Sequence, residues 1–212
     1  MKKTFNIYGE RNSGTNFLYK LISNNFNLEG SMDEKHSLVK EYNSSQNHIN
    51  FCIIRNLNDW LSSTYKNPYY IDNKYLIVGP KKDIYTFINE KIKNNLYDLC
   101  RYDINLSGKY NLVEVRYLKY NSYKDVTNKV LVNLDFLQYS DENKEQFLDF
   151  VSKKYHLERQ NFNSIKKYTG GQGEKWFRTK EFRILKYPQI DFTKIKDYNK
   201  KIEDEINNLT FK

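Results

Sequence analysis

The sequence predicts an α/β fold in which a mostly parallel sheet is flanked by helices in three layers. Two apolar, β-rich runs, TFNIY at residues 4–8 and FCIIR at residues 51–55, are each followed by apolar residues at helical spacing. A glycine-bounded turn separates the first run from its helix. Repeated strand–turn–helix units are typical of parallel sheets covered on both faces, which bind ligands at the carboxyl ends of their strands.

The first unit consists of a strand at residues 4–8, a loop from Gly9 to Gly14 and a helix that begins at Thr15. The helix is indicated by apolar residues at a spacing of three and four: Phe17, Leu18, Leu21, Ile22 and Phe26. The second unit consists of the strand at residues 51–55 and a helix indicated by Trp60, Leu61, Thr64 and Tyr65.

Five further segments complete the expected order. Residues 83–96 have one apolar helical face, and residues 112–118 (LVEVRYL) predict another strand. Residues 126–137 and 143–155 predict two more helices. Residues 66–82 contain proline, glycine and aromatic pairs without periodicity, which favours a loop or lid.

Length and charge bound the possible functions. The 212 residues, with a mass of 25.6 kDa and 39% hydrophobic content, predict a single domain over residues 1–212. The net charge of +9 favours anionic partners: a nucleotide, an acidic or sulfated glycan, a nucleic acid or an anionic membrane. Because the many Asn, Lys, Ile and Tyr residues also fit a compositional bias, the charge does not single out nucleic acid.

The cysteines and the apolar runs indicate the compartment. Cys52 and Cys100 are too few for a disulfide scaffold or a four-cysteine zinc site, so we expect free thiols in a reducing compartment, the cytoplasm. No window approaches the ~18 apolar residues of a membrane span, and the start of the chain does not resemble a signal peptide.

The loop YGERNSGTN, residues 8–16, has the chemistry of an anion site. Gly9 and Gly14 have the GxxxxG spacing of a phosphate-binding loop, but Thr15 and Asn16 stand where a nucleotide hydrolase has Lys and Ser or Thr. The N–H groups of such a loop, with the positive end of the following helix, bind a tetrahedral oxyanion whatever its central atom. The loop therefore predicts a phosphate or sulfate ligand.

The residues around this loop favour sulfuryl over phosphoryl transfer. Magnesium-assisted phosphoryl transfer needs the missing lysine and an acidic residue on the metal, and the second strand ends in Arg55 instead of aspartate. A sulfuryl group carries less negative charge, so Arg, Lys and backbone donors assist its transfer without a metal.

A second motif follows the second strand. Arg55 ends the strand and Ser63 lies eight residues later on the expected helix, with Asp59 between them. A guanidinium and a hydroxyl placed in this way can converge on one further phosphate. The alternative is that Arg55 pairs with Asp59 and Ser63 is an ordinary surface residue.

At these residues the sequence resembles the sulfotransferase family, whose donor is 3′-phosphoadenosine 5′-phosphosulfate. SGT at residues 13–15 is similar to the end of the family's phosphosulfate loop, and RNLNDWLSS at residues 55–63 is similar to its RNPxDxxxS motif. The stretches ERNSGTNFL and DWLSSTYKNPY are similar to those of a compact microbial and viral branch of the family. The resemblance implies a domain of the P-loop type, adenosine 3′,5′-bisphosphate as product and no metal.

The resemblance also implies which residues bind the donor. The 3′-phosphate contacts are implied for Arg55 and Ser63. The 5′-phosphosulfate contacts are implied for the loop, namely Arg11, Asn12, Ser13, Gly14, Thr15 and Asn16.

Two positions depart from the family pattern, and two later segments are similar to further family motifs. The family has Lys or Arg directly before SGT, whereas this chain has Asn12 there and Arg11 one position earlier, and Leu57 replaces the usual proline. LVEVRYL at residues 112–118 is similar to a later family strand, VRYEDL. GGQGEKW at residues 170–176 is similar to the glycine and tryptophan loop over the 3′-phosphate.

Two residues are candidates for the general base that removes the acceptor proton. His36, in EKHS, is preferred over Glu10 because an unperturbed imidazole titrates near ~6.5 and a glutamate near ~4.3. The alternative role of Glu10 is an ion pair with Arg11, and that of His36 is an exposed loop histidine. Lys35 is a candidate to assist Arg11 at the transferring oxygens.

The sequence therefore predicts a sulfotransferase that acts on a hydroxyl or amine, with carbohydrate as the first acceptor class, no nucleic-acid partner and no membrane span. Two alternatives remain open. A P-loop nucleotide kinase would use the same loop with magnesium and ATP. A non-catalytic basic module that binds nucleotides or nucleic acids would show a steep salt dependence.

Overall fold

The computed structural model describes residues 3–32, 35–36, 47–66, 83–92, 108–162, 167–168, 180–181 and 189–212. Its strands are β1 Thr4–Gly9, β2 Glu29–Ser31, β3 His48–Ile54, β4 Lys129–Asn133, β5 Lys167–Tyr168 and β6 Lys180–Glu181. Its helices are α1 Thr15–Asn25, α2 Leu57–Lys66, α3 Ile84–Asn89, α4 Leu112–Asp125, α5 Leu134–Tyr139, α6 Asp141–Tyr155 and α7 Lys200–Asn207, with a 3₁₀ turn at Phe192–Lys194.

The main sheet is parallel and has the strand order β2-β1-β3-β4. Gly9 at the end of β1 lies opposite Ile53, and Ile54 at the end of β3 lies opposite Asn133. The carboxyl ends of these strands therefore share one edge. Strands β5 and β6 form a separate antiparallel pair. The expected α/β fold with a parallel sheet is confirmed.

Alternate residues of the sheet pack into helices on its two faces. Phe51 and Ile53 of β3 belong to a core with α1, α5 and α6. Cys52 and Ile54 point to the other face, where they pack with side chains of α4 and α7. Burial on both faces explains why β3 is a continuous apolar run and gives the molecule three layers.

Residues 112–118, which the sequence predicts as a strand, are instead the start of helix α4. Asn111 and Glu114 form a capping box: the Asn111 side chain accepts from the Glu114 N–H at 2.9 Å, and the Glu114 carboxylate accepts from the Asn111 N–H at 2.7 Å. The apolar residues look strand-like because α4 is buried on several sides, against α2 and α3 at one end and against the sheet and α7 at the other.

Residues 126–137 are also corrected, because they are a strand followed by a short helix. Lys129–Asn133 pairs with β3, and its Val130, Leu131 and Val132 are fully buried between the two helical layers. The Asn133 side chain then accepts from the Asp135 N–H at 2.9 Å and starts α5.

The remaining expected helices are confirmed with changed bounds. α6 covers residues 143–155 and begins two residues earlier, at Asp141. α3 begins after its cap Asp83 and ends at Asn89, before the expected end at residue 96. Three predicted features lie outside the described residues: the loop beyond residue 66, the thiol of Cys100 and the segment 170–176.

Two further observations concern Cys52 and the described helices. Burial raises the pKa of the Cys52 thiol, which holds it as an inert neutral group. Among the described helices, none is both long enough and apolar enough to cross a bilayer.

Candidate functional site

The glycine loop lies at the carboxyl edge of the sheet, between the end of β1 and the start of α1. A Cβ atom on Gly9 would lie 2.6 Å from the Ser13 hydroxyl oxygen and 2.7 Å from a methyl group of Ile53, so only glycine fits there. The Ser13 N–H and hydroxyl both donate to the Glu10 carbonyl, at 3.2 and 2.6 Å. These contacts fold the loop into a tight turn.

The loop backbone has two residues in the left-handed region. Asn12 has φ +63° and Gly14 has φ +89°, on either side of Ser13. In many proteins, anion-binding concavities are built from loops in which left-handed residues alternate with right-handed ones. The N-cap residue of α1 is Gly14, which has no side chain to cap the helix, and the described first turn of α1 contains no acidic residue. The positive end of α1 therefore faces the loop, and no carboxylate of the first turn offsets it.

We expect Gly14→Ala to destabilise the protein more than Gly108→Ala. Both glycines have positive φ, +89° and +73°, so alanine incurs about 1–2 kcal/mol of backbone strain at either position. A Cβ on Gly14 would also lie 2.7 Å from a Leu134 methyl carbon, whereas near Gly108 no atom of the described residues lies within 4 Å. Overpacking should add roughly 1–3 kcal/mol at Gly14 alone, measured by urea unfolding. Equal losses would mean that Leu134 does not confine the loop.

Lys35 and His36 pack directly on the loop. The Gly9 N–H donates to the Lys35 carbonyl at 2.7 Å, and the His36 ring nitrogen Nδ1 lies 2.8 Å from the Gly9 carbonyl oxygen. The Lys35 ammonium donates to the Asn16 side chain at 2.8 Å, in the first turn of α1. A cation and an imidazole therefore accompany the loop, although Lys35 is 19 residues from Asn16 in sequence and His36 is 27 residues from Gly9.

The contact between His36 and Gly9 selects one tautomer of the imidazole. A carbonyl oxygen only accepts, so Nδ1 carries the hydrogen and donates it. In the neutral ring, Nε2 is then left with the lone pair. Nε2 is therefore the basic nitrogen of the neutral ring.

Arg55 extends from the end of β3 toward the loop. Its guanidinium donates to the Asn12 carbonyl at 3.5 Å and lies 3.7 Å from the Asp59 carboxylate and 4.0 Å from that of Asp135. The simpler interpretation of Arg55, an ion pair with Asp59, is thus present in the structure. Arg55 nevertheless lies beside the glycine loop. Its role as a second anion contact stays a prediction.

Ser63 lies half-buried on α2, next to Thr64, which contacts the loop. The Asn12 side chain donates to the Thr64 hydroxyl at 3.5 Å. The second half of α2 therefore borders the loop, and both sequence motifs meet at one edge of the sheet.

Glu10 faces the interior. Its carboxylate is 1% exposed and accepts from Arg116 at 2.7 Å, so the ion pair is with α4 and not with Arg11. Burial raises the pKa of Glu10, and the charges of Arg116 and Lys119 oppose that rise. A carboxylate enclosed in this way is poorly placed to meet an acceptor molecule. Arg11 is half-buried, and its carbonyl accepts from the Trp60 indole at 2.9 Å.

Sequence reasoning missed Arg116 and Asp135. Arg116 was concealed because residues 112–118 resembled a strand, although an arginine inside an apolar run is a signal of a buried partner. The Asp135 carboxylate accepts from the Asn56 backbone and side chain, both at 2.8 Å, and so ties the end of β3 to the start of α5.

The described residues contain no group of three or more His, Cys, Asp or Glu side chains arranged to hold a metal ion. Comparisons with protein-family models, with curated proteins and with solved structures found no match to this chain.

Proposed function

We propose that the protein is a sulfotransferase that moves a sulfuryl group from 3′-phosphoadenosine 5′-phosphosulfate to a hydroxyl or amine, with carbohydrate as the first acceptor class to test. In this proposal the loop from Arg11 to Asn16 holds the 5′-phosphosulfate. Arg55 and Ser63 hold the 3′-phosphate. Lys35 and Arg11 supply cations, and His36 is the general base.

One observation carries the proposal: the two motifs that the sequence predicts to bind anions meet at the carboxyl edge of adjacent parallel strands. The glycine loop follows β1 and Arg55 follows β3, and the guanidinium of Arg55 contacts the Asn12 carbonyl within that loop. Neighbouring strands are ~4.8 Å apart, so a nucleotide with two separate phosphate groups can span both motifs. A ligand with one phosphate cluster would need only the loop.

The charge distribution supports a strongly anionic ligand. The Lys35 ammonium lies at the N-terminus of α1, where the helix dipole is positive. A cation at this end of a helix is unfavourable by itself and becomes favourable when an anion lies between the two. Arg55 adds a second positive group beside Asn12 of the loop, where the carboxylates of Asp59 and Asp135 offset part of its charge.

The contacts of His36 support its role in the chemistry. The acceptor oxygen or nitrogen attacks sulfur while Nε2 takes its proton. The bond between sulfur and the bridging oxygen breaks, and its electron pair leaves on the 5′-phosphate of adenosine 3′,5′-bisphosphate. Because charge develops on the bridging and sulfuryl oxygens, fixed N–H donors and cations there lower the barrier.

Product release from the donor tests this proposal. With a panel of sugars and amines as acceptors, or slowly with water alone, the protein should release adenosine 3′,5′-bisphosphate in the presence of a metal chelator. Release of ADP from ATP that depends on magnesium, with no turnover of the phosphosulfate donor, would instead indicate a kinase.

A further inference from the structure

A buried arginine on α4 contacts both halves of the candidate site. Arg116 is fully buried, and it donates to the Glu10 carboxylate of the glycine loop at 2.7 Å. Its Nη2 donates to the carbonyl of Arg55 at 2.7 Å. One guanidinium therefore joins the first residue after Gly9 to the first residue after β3.

The C-terminal helix α7 fixes this arginine. Glu203 is 1% exposed and accepts from Arg116 through both carboxylate oxygens, at 2.8 and 3.0 Å. A bidentate pair sets the plane of the guanidinium and leaves its remaining donors aimed at Glu10 and Arg55. Glu10 and Glu203 together raise the pKa of Arg116 despite its burial, so it stays charged.

Trp60 completes the cluster from α2. The Arg116 guanidinium lies 5.2 Å from the centre of the Trp60 ring, and the indole donates to the Arg11 carbonyl at 2.9 Å. The backbones of both candidate ligand arginines, Arg11 and Arg55, are thus hydrogen-bonded to this cluster.

We propose that Arg116, held by Glu203 and Trp60, is a positioning residue that fixes the spacing between the 5′-phosphate and 3′-phosphate halves of the site. The inference rests on the proposed function. Its consequence is specific: a fixed spacing favours ligands that carry both phosphates, because the second contact is then made at high effective concentration. A change in the cluster should reduce that preference more than it reduces binding of a single phosphate.

The test compares adenosine 3′,5′-bisphosphate with adenosine 5′-monophosphate in the wild type and in Glu203→Gln. In the wild type the bisphosphate should bind more tightly. Glu203→Gln should reduce that preference by about tenfold, the low end of the losses seen when a hydrogen-bonded partner behind a metal ligand is removed, where the effect is likewise indirect. Glu205→Gln is the matched control, since Glu205 is on the same helix and meets only the half-exposed Lys124 at 3.7 Å among the ion pairs of the described residues.

Trp60→Phe keeps the test decisive if Glu203→Gln does not fold. It removes the N–H that holds the Arg11 carbonyl, and it should lower the same preference. A preference that stays at the wild-type value in folded variants would overturn the positioning role, as would equal weakening of both ligands. If the wild type shows no preference for the bisphosphate, the proposed function fails, and this inference fails with it.

Discussion

Replacing His36 with asparagine should lower the rate of sulfuryl transfer by about 10²–10⁴-fold, the usual contribution of a general base. The asparagine amide can still donate to the Gly9 carbonyl, as Nδ1 does at 2.8 Å, so the loop contact is kept. It has no basic atom in place of Nε2. Affinity for adenosine 3′,5′-bisphosphate should therefore change little while turnover falls. Release of the bisphosphate, with an acceptor or with water, measures the rate.

The matched control for this prediction is His48→Asn. His48 contacts the Thr4 hydroxyl at 2.7 Å, at the amino end of β3 and away from the loop. Its replacement should leave the rate near that of the wild type. The role of His36 is contradicted if His36→Asn keeps nearly full activity while Glu10→Gln abolishes transfer with donor binding intact. The base would then be Glu10, despite its enclosure by Arg116.

Replacing Arg55 with alanine should lower the affinity for adenosine 3′,5′-bisphosphate by about 10–150-fold, because a hydrogen bond to a charged group contributes about 1.5–3 kcal/mol. Adenosine 5′-phosphosulfate lacks the 3′-phosphate, so its affinity should barely change. The structure gives a further reason for a large effect. The carboxylates of Asp59 and Asp135, 3.7 and 4.0 Å from the guanidinium, would face the 3′-phosphate without a cation between them.

Two variants make the Arg55 prediction specific. Arg55→Lys keeps the charge and loses the planar fork, so it should recover only part of the affinity. Arg159→Ala removes an arginine that also bridges two carboxylates, those of Glu145 and Asp149, far along the chain on α6. This variant should bind both ligands with the affinity of the wild type. If Arg55→Ala lowers the affinity for both ligands equally, Arg55 does not recognise the 3′-phosphate. Isothermal titration measures the affinities of the wild type and the three variants for both ligands.

The sequence predicted the parts of the fold that have a local signal. Phe51–Ile54 is apolar at every position because both faces of β3 are buried, and the glycine loop followed by helical spacing marks α1. β4 carries the same signal in Val130–Val132. The sequence nevertheless predicts a helix there, because the following apolar residues of α5 continue a helical spacing without a break.

The candidate site was predictable only in its local motifs. The loop and Arg55 follow directly from their strands, whereas the contacts of Arg116 join residues that are 87 and 106 positions apart. The periodic spacing of apolar residues does not reveal contacts between residues so far apart in sequence. The capping box of Asn111 and Glu114 was a readable signal that residues 112–118 begin a helix. With that helix assigned, Arg116 would have stood out as a buried charge on an apolar face.

Thermal unfolding with and without ligand tests the central claim most directly. At about 100 times its dissociation constant a ligand adds roughly 2.7 kcal/mol to the free energy of unfolding, which for a domain of this size raises Tm by roughly 5–10 °C. Adenosine 3′,5′-bisphosphate should produce this rise in the presence of a metal chelator, and Mg²⁺-ATP should not. Strong stabilisation by Mg²⁺-ATP with no effect of the bisphosphate would contradict the proposed function.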